Sequence, residues 1–299
     1  MKREAITPCG EHTAAVSGSG RSVGRRGAVA PGSAWALVTG AGSGIGRCYA
    51  LRLAALGYRL VIVGNNAAPL EAVAGEIRRA AGANASASFP EVRVMPMDLA
   101  RVGAAQELHD RTAAEGIEID VVINNAGIFS FCDILTTPAE RIERIILLHD
   151  LTVSQLCRLY AADMVRRGVR GHILNMSSYS LWMPFPGLAL YSASKAYLRS
   201  FSVAFAKEVR EHGIRVTAVC PAGVATDLYG LTPRWQRIGT RLGVLITADS
   251  CARRGLRALW RGRRCIVPDW WNRVWIPLCK ILPMWVLRPV RRFTMKFQK

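Results

Sequence analysis

The architecture of this 299-residue chain can be predicted from one segment, Trp35-Ala36-Leu37-Val38-Thr39-Gly40-Ala41-Gly42-Ser43-Gly44-Ile45-Gly46-Arg47. Its first five residues indicate a short buried strand, and a helical pattern follows the glycines and ends before Gly57. Strand, glycine-rich turn and helix in this order are the context in which a dinucleotide binds. Gly40 permits a tight turn, while Gly44 and Gly46 allow close approach of a pyrophosphate and of the sheet. The amides at the start of the helix would face the phosphates.

A second segment, Tyr191-Ser192-Ala193-Ser194-Lys195, carries chemistry, and Ser178 lies thirteen positions before its tyrosine. Side chains four apart on a helix point the same way. An ammonium beside a phenol favours the phenolate, so we expect Lys195 to lower the Tyr191 pKa from its usual value of about 10. Ser178 would hold a carbonyl oxygen while Tyr191 gives or takes a proton. This chemistry interconverts a carbonyl and an alcohol, and it needs a hydride carrier.

Five motifs occur in a fixed order: Thr39-Gly40-x-x-x-Gly44-x-Gly46, Asn124-Asn125-Ala126-Gly127, Ser178, Tyr191-x-x-x-Lys195 and Pro221-Ala222-Gly223-x-x-Thr226. Each motif alone is weak, but the set in this order resembles the classical short-chain dehydrogenase/reductase family. The resemblance covers roughly residues 34–268. It implies that Ser178, Tyr191 and Lys195 are catalytic and that the cofactor is a nicotinamide dinucleotide.

Strand-like and helical segments alternate along the chain from residue 35. The predicted strands are 35–39, 59–63, 92–96, 119–124, 171–176, 214–219 and 264–267. The predicted helices are 45–56, 67–81, 101–114, 138–166, 189–212 and 247–261. Such alternation predicts an α/β fold, a doubly wound parallel sheet flanked by helices. The family resemblance implies a Rossmann-type sheet of about seven strands in the order 3-2-1-4-5-6-7.

The resemblance also implies a set of cofactor-binding residues. They are Gly40, Ser43, Gly44, Ile45, Gly46, Asn65, Asp98, Asn125, Ala126, Gly127, Tyr191, Lys195, Val224 and Thr226. Asp98 would lie near the adenine ring, although an acid at a helix start is also common. Thr226 would bind the nicotinamide carboxamide, or it is an ordinary loop threonine. Ala222 stands where the family usually has glycine, so this turn departs from the family pattern.

One family residue is missing. The family uses an asparagine on the long helix after the fourth strand to hold a water behind the lysine, whereas this segment reads Leu147-Leu148-His149-Asp150-Leu151-Thr152. Asp150 is the best match in register, with His149 next to it. Asp150 would hold water as an ionised acceptor beside Lys195. Alternatively, it pairs with Lys195 or faces solvent.

The end of the second strand sets the choice of cofactor. A member that prefers NAD usually has an acid there, which binds the ribose 2′-hydroxyl. Here Gly64 occupies that position and Asn65 follows it, so nothing repels a 2′-phosphate. Arg47 and Ser43 are candidates for compensating contacts. The sequence therefore favours NADP(H) over NAD(H).

The hydrophobic content, the cysteine spacing and the charge of the chain indicate which kind of protein it is. Hydrophobic residues make up 51% of the chain, which is enough for a large core, and the eight cysteines form no Cys-x-x-Cys pair. Scattered cysteines indicate reduced thiols in the cytoplasm, and we expect no metal site. The net charge is +19, yet residues 253–299 contain 13 Lys/Arg and one acid. No recognition module accompanies this charge, so binding of nucleic acid is not expected.

The C-terminal residues 269–299 form a basic tail that is rich in tryptophan. From residue 260 onward the chain has five of its eight tryptophans: Trp260, Trp270, Trp271, Trp275 and Trp285. The longest apolar run, 274–287, contains Lys280 and two prolines and is shorter than the ~20 residues of a span. Tryptophan mixed with arginine suits the membrane–water boundary. We expect peripheral attachment to the cytoplasmic membrane face; docking on a partner subunit is the alternative.

Three regions follow from these patterns: an extension over residues 1–33, a Rossmann domain over 34–268 and the tail. The extension shows no apolar periodicity, so we expect it to be disordered or to precede the true start. Tyr179 to Leu188 and a lid from Tyr229 to Ile246 would make the substrate pocket apolar.

These features predict an NADP(H)-dependent oxidoreductase for a lipophilic ketone. The resemblance suggests a 3-keto lipid, such as 3-ketosphinganine or a 3-oxoacyl chain, or a hydroxysteroid. It also suggests a homo-oligomer, either a dimer or a tetramer. A non-catalytic dinucleotide-binding redox sensor or membrane scaffold is the alternative. The missing asparagine and Ala222 support that alternative, while the complete set of Ser178, Tyr191 and Lys195 opposes it.

Overall fold

A computed structural model of the chain describes residues 31–82, 91–182, 186–226, 232–241, 243 and 245–269. The strands in these ranges are β1 Trp35–Thr39, β2 Arg59–Gly64, β3 Val92–Pro96, β4 Ile119–Asn124, β5 His172–Met176, β6 Arg215–Val219, β7 Gly223–Ala225, β8 Leu245–Thr247 and β9 Cys265–Ile266. The α-helices are α1 Gly44–Ala55, α2 Ala67–Gly82, α3 Ala104–Ala114, α4 Ala139–Ile146, α5 Val153–Arg167, α6 Ala189–Glu208, α7 Pro233–Arg241 and α8 Ala248–Trp260.

Seven parallel strands form the central sheet in the order β3-β2-β1-β4-β5-β6-β9. This arrangement confirms the predicted doubly wound fold, because β9 is the seventh strand of the expected order. The strand order reverses between β1 and β4. Ligands of open α/β sheets bind at the carboxyl ends of the strands beside such a reversal.

Both faces of the sheet are covered, which explains why its strands are continuously apolar rather than alternating. In β1, Leu37 packs into a core with residues of α3, α5 and α6. Ala36 and Val38 point to the opposite face, where residues of α1, α2 and α8 surround them. All five residues of β1 are buried. The strand that leads into the glycine-rich turn is therefore held from both sides.

Two features of the fold were not predicted. The helix expected over 138–166 contains a π-helical segment at Leu147–Thr152, between α4 and α5. A second, two-stranded parallel sheet joins β7 to β8. Neither has a hydrophobic period that distinguishes it from ordinary helix or loop.

Three predictions concern residues that lie mostly or partly outside this description: nearly all of the extension, nearly all of the C-terminal tail, and part of the lid. Within the ranges that the structure covers, none of the helices is long and apolar enough to span a membrane.

Candidate active site

A cleft of about 500 Å³ lies at the carboxyl ends of the central strands, beside the reversal between β1 and β4. Ser178 and the cofactor-binding residues that the family resemblance implies all line this cleft, with the exception of Gly46. The arrangement joins the glycine-rich turn after β1 to the loops after β4, β5 and β6. Gly40 and Thr226, which are 186 positions apart in sequence, thus meet in one place.

The glycine-rich turn has the backbone shape that a bound pyrophosphate requires. Gly40 and Gly44 adopt positive φ angles of 64° and 53°, a region that favours glycine. Gly46 is buried in α1, and a Cβ there would lie 2.0 Å from the Gly40 carbonyl oxygen. Only glycine allows the helix to start this close to the turn. The amides at the start of α1 are therefore available to phosphate oxygens, which fits a dinucleotide.

Asn125 fastens the loop after β4 to this turn. Its side-chain amide donates to the carbonyl oxygens of Thr39 and Gly40, at 3.1 and 3.2 Å. The Thr39 hydroxyl accepts from the Asn125 and Ala126 amides, each at 3.0 Å. Four hydrogen bonds therefore hold together the ends of β1 and β4. Asn125, Ala126 and Gly127 thus line the cleft, and Asn125 also holds neighbouring strands of the sheet together.

Ser178, Tyr191 and Lys195 converge at one end of the cleft, and each side chain is almost entirely buried. The Lys195 Nζ lies 5.5 Å from the centre of the Tyr191 ring and donates to the Met176 carbonyl oxygen at 3.1 Å. The Ser178 side chain hydrogen-bonds to the Tyr191 phenol. Ser177 donates to the Lys195 carbonyl oxygen at 2.6 Å, which fixes α6 against the end of β5. A serine, a tyrosine and a lysine are thus presented together to a bound molecule.

The prediction that Lys195 lowers the Tyr191 pKa below its usual value is wrong for the protein without a ligand. Burial raises the Tyr191 pKa to about 12, and the hydrogen bond with Ser178 only partly opposes this. Burial also lowers the pKa of Lys195 to about 8. Both groups lose hydration in their charged forms, and sequence spacing contains no information about that loss. Tyr191 is therefore a neutral phenol near pH 7, in the protonation state of a proton donor.

Asp150 lies on the π-helical segment, and its charge affects the pKa of Lys195. Burial raises the Asp150 pKa to about 6, while the Lys195 charge opposes the rise. Asp150 in turn raises the Lys195 pKa, against the effect of burial. Its Oδ1 atom is buried and has no hydrogen-bond partner within the protein. An unpartnered carboxylate oxygen beside the lysine matches the predicted water-holding position better than a direct ion pair.

His149, the residue before Asp150, is fully buried and links two parts of the site. Its Nε2 atom accepts from the Ile128 amide at 3.0 Å. The proton must then lie on Nδ1, which donates to the Ser194 hydroxyl at 2.9 Å. The Ser194 hydroxyl in turn donates to the Tyr191 carbonyl oxygen, also at 2.9 Å. Burial and the Lys195 charge hold the His149 pKa well below its usual value, so the ring stays neutral.

At the other end of the cleft, Asp98 forms an ion pair with Arg144 of α4, at 3.0 Å. Arg144 was not predicted, because an arginine on an amphipathic helix gives no signal of its own. Arg47, a candidate for binding a 2′-phosphate, does not line the cleft. It pairs instead with Glu76 of α2, its Nε donating at 3.0 Å. Arg47 is therefore already engaged, and Gly64 and Asn65 border the position where a 2′-phosphate would lie.

The side of the cleft next to Tyr191 is apolar. The Phe129 ring packs edge-on against Tyr191, with 5.1 Å between ring centres. Phe131 lies close to Gly187, where an added Cβ would meet its ring at 3.0 Å. Trp182 contacts Tyr179 with 5.8 Å between rings. Tyr179 and Trp182 of the predicted apolar loop pack in a core cluster beside Cys220 rather than in the cleft, and residues 183–185 of that loop lie outside the structural description.

Residues 34–237 match the family model for short chain dehydrogenases. A very-long-chain 3-oxoacyl-CoA reductase of Anas platyrhynchos is 37% identical over 210 residues, which cover 68% of this chain and 64% of that protein. A probable oxidoreductase EphD of Mycobacterium tuberculosis is 35% identical over 195 residues, 65% of this chain and 32% of that protein. The chain thus spans between about a third and two thirds of the length of these curated relatives.

Solved structures share the fold over most of the chain. A short-chain dehydrogenase from Sphingobium yanoikuyae, solved in complex with NADPH, has a TM-score of 0.69 and 29% sequence identity. The similarity covers 81% of this chain and 92% of that one.

Proposed function

Since the chain belongs to the short-chain dehydrogenase/reductase family, we propose that it is an NADP(H)-dependent oxidoreductase that interconverts a lipophilic ketone and its secondary alcohol. The observation that carries the proposal is the convergence of Ser178, Tyr191 and Lys195 in one cleft with the glycine-rich turn. A binding protein without catalysis would need the turn but would not need a buried serine–tyrosine–lysine set.

Four side chains of the cleft and its surroundings would each have a separate role in the reaction. The dinucleotide supplies hydride to the carbonyl carbon when it is bound. Ser178 would hold the carbonyl oxygen, and neutral Tyr191 would give that oxygen its proton. Lys195, protonated below pH about 8, would stabilise the tyrosinate that remains. Asp150 would hold the water through which Tyr191 regains a proton. Burial of all three reacting side chains strengthens these interactions, because little solvent competes.

The proposed substrate class is a 3-keto lipid, with a 3-oxoacyl chain first and 3-ketosphinganine or a hydroxysteroid as further candidates. The Phe129 ring supports an apolar substrate, since it lines the cleft and packs against Tyr191. The similarity to a reductase of very-long-chain 3-oxoacyl-CoA supports a long acyl group. Apolar walls with few polar groups favour such ligands.

NADP(H) is the proposed cofactor. In the residues that the structure describes along the cleft, Asp98 is the single acid, and it is already paired with Arg144. The end of β2 presents Gly64 and Asn65, neither of which repels a phosphate. Reduction rates measured with NADPH and with NADH would decide the matter, and a strong preference for NADH would contradict this part of the proposal.

Membrane-surface attachment and self-association are further parts of the proposal. The basic, tryptophan-rich composition of residues 269–299 supports the first. The apolar side chains of Ile146, Leu151 and Tyr197 are exposed on neighbouring helices, which supports the second. Flotation with anionic vesicles, with and without residues 270–299, tests the attachment. Sedimentation of the same two proteins tests the oligomer.

The central experiment is Tyr191→Phe, assayed on a panel of 3-oxoacyl thioesters, 3-ketosphinganine and steroid ketones. Loss of the proton donor should lower kcat by about 10²- to 10⁴-fold. Tyr197→Phe is the matched control, because Tyr197 lies on the same helix but is 43% exposed. Activity that survives in Tyr191→Phe would defeat the mechanism. Binding of NADPH without turnover of any carbonyl by the native protein would favour the sensor or scaffold alternative.

A further inference from the structure

Two cysteine thiols meet at the β6–β9 edge of the sheet. Cys265 is the first residue of β9 and pairs in register with Ala218 of β6, two positions before Cys220. Residues two apart on a strand share a face, so the two thiols point the same way. Their sulfur atoms lie 3.8 Å apart. This distance places one thiol directly against the other.

The two thiols are not equivalent. Cys220 is fully buried, whereas Cys265 is partly exposed. The hydrogen bond with Cys220, assisted by the Arg199 guanidinium, lowers the pKa of Cys265. The same hydrogen bond and burial raise the pKa of Cys220. Cys265 is thus the more accessible and more acidic thiol and Cys220 the buried one, an asymmetry found where one cysteine reacts and the other resolves.

The thiol pair is adjacent to the catalytic residues. Arg199 lies one helical turn after Lys195 on α6, and the Cys220 side chain lies near Lys195. Cys220 directly precedes Pro221, whose carbonyl oxygen accepts from the Tyr179 amide at 2.8 Å. Pro221 itself lines the cleft. A change at Cys220 would therefore be transmitted to the loop that carries Val224 and Thr226.

We propose that Cys220 and Cys265 form a peroxide-sensitive dithiol whose oxidation to a disulfide slows the enzyme. The Cys265 thiolate attacks one oxygen of a hydroperoxide, which gives a sulfenic acid and releases hydroxide or an alkoxide. The Cys220 sulfur then attacks the Cys265 sulfur, a disulfide forms, and the sulfenic oxygen leaves as water with the Cys220 proton. The two sulfurs together lose two electrons, and the peroxide gains them.

Closing this bond has to move the backbone. The sulfur atoms must approach from 3.8 Å to about 2.05 Å. The two cysteines are diagonal rather than directly opposed, about two residue rises apart along the strands. β9 is two residues long and pairs with β6 alone, and Cys220 lies just past the end of β6. The shift therefore falls on β9 or on the Cys220–Pro221 segment beside the cleft.

The test treats the full-length reduced protein with graded hydrogen peroxide and follows two readouts. Non-reducing peptide mapping should detect a Cys220–Cys265 peptide that is 2 Da lighter than its reduced components. Reduction of the ketone should slow several-fold in parallel and recover with dithiothreitol. Cys265→Ser should retain its activity in peroxide, whereas Cys132→Ser, a change at a partly exposed cysteine in the loop after β4, should stay sensitive.

The proposal fails if the cross-linked peptide does not form, if it forms without any change in rate, or if Cys265→Ser loses activity like the native protein. Only the rate readout rests on the proposed reductase activity. The peptide map reports on the thiols even if no substrate is turned over, so the two failures can be told apart.

Discussion

His149 and Ser194 lie 2.9 Å apart, from Nδ1 to Oγ, and this hydrogen bond joins the π-helical segment to the helix of the reacting tyrosine. Its direction is fixed, because the other ring nitrogen accepts from the Ile128 amide. His149 is therefore a positioning residue that sets where Tyr191 and Lys195 stand relative to the loop after β4.

His149→Leu should lower kcat about tenfold or more, because it frees α6 and leaves the Ile128 amide unpaired. His149→Gln can still accept one hydrogen bond and donate another, so it should recover much of the rate. The KM for NADPH should change little in either variant. Because the His149 pKa lies well below its usual value, its titration should not shape the rate profile above pH 6. Equal losses in the two variants would show that the ring only fills space.

The pH profile of ketone reduction should report the charge of Lys195. The lysine is protonated below pH about 8 and loses its charge above it, so the rate should decline on the alkaline side. Asp150 raises the Lys195 pKa, and Asp150→Asn removes this effect. The alkaline decline should therefore begin at a lower pH in Asp150→Asn. As a control, Asp110→Asn, at an exposed position of α3, should leave the pH profile unchanged. If the alkaline decline of Asp150→Asn begins at the native pH, the decline does not report the charge of Lys195.

The cofactor preference should reverse with one carboxylate at the end of β2. A Cβ on Gly64 would meet the Leu70 side chain at 3.5 Å, an ordinary contact, so Gly64→Asp can be accommodated. The acid would repel a 2′-phosphate and accept from a 2′-hydroxyl, so the preference for NADPH should fall by about 10- to 100-fold. Gly64→Asn adds similar bulk without charge and should keep the native preference. If both variants behave alike, the preference is set elsewhere.

Two glycines in helices should respond to alanine in opposite ways. Gly46→Ala places a Cβ 2.0 Å from the Gly40 carbonyl oxygen, so the turn must shift, at a cost of about 1–3 kcal/mol in the free energy of unfolding. Gly75→Ala in α2 meets only the end of the Arg79 side chain, at 3.4 Å. It should stabilise the protein by about 0.5–1 kcal/mol. Thermal unfolding of the two variants measures both signs, and NADPH titration should weaken only in Gly46→Ala.

The sequence was sufficient for the alternating α/β fold, because apolar strands, helical periods and the glycine-rich turn are local signals, and for the sheet order by way of the family resemblance. It was also sufficient to bring Ser178, Tyr191 and Lys195 to one cleft by way of the family motifs. The protonation of Tyr191 was predicted wrongly, since the loss of hydration depends on neighbours that are distant in sequence. Arg144 and the Cys220–Cys265 pair could not be foreseen for the same reason. Arg144 meets Asp98 only because α4 packs beside the loop after β3. The two cysteines meet only because β6 and β9 are neighbours in the sheet.

α4, the π-helical segment and α5 form one continuous helix, which links the two ends of the cleft mechanically. It holds Arg144 against Asp98 at one end of the cleft and, within two turns, His149 and Asp150 beside Lys195 at the other. One continuous helix is thus tied to both ends of the cleft. Deleting one residue of the π turn would rotate one half of this helix against the other by about a quarter-turn. The Arg144–Asp98 ion pair and the place of Asp150 beside Lys195 cannot then both be kept.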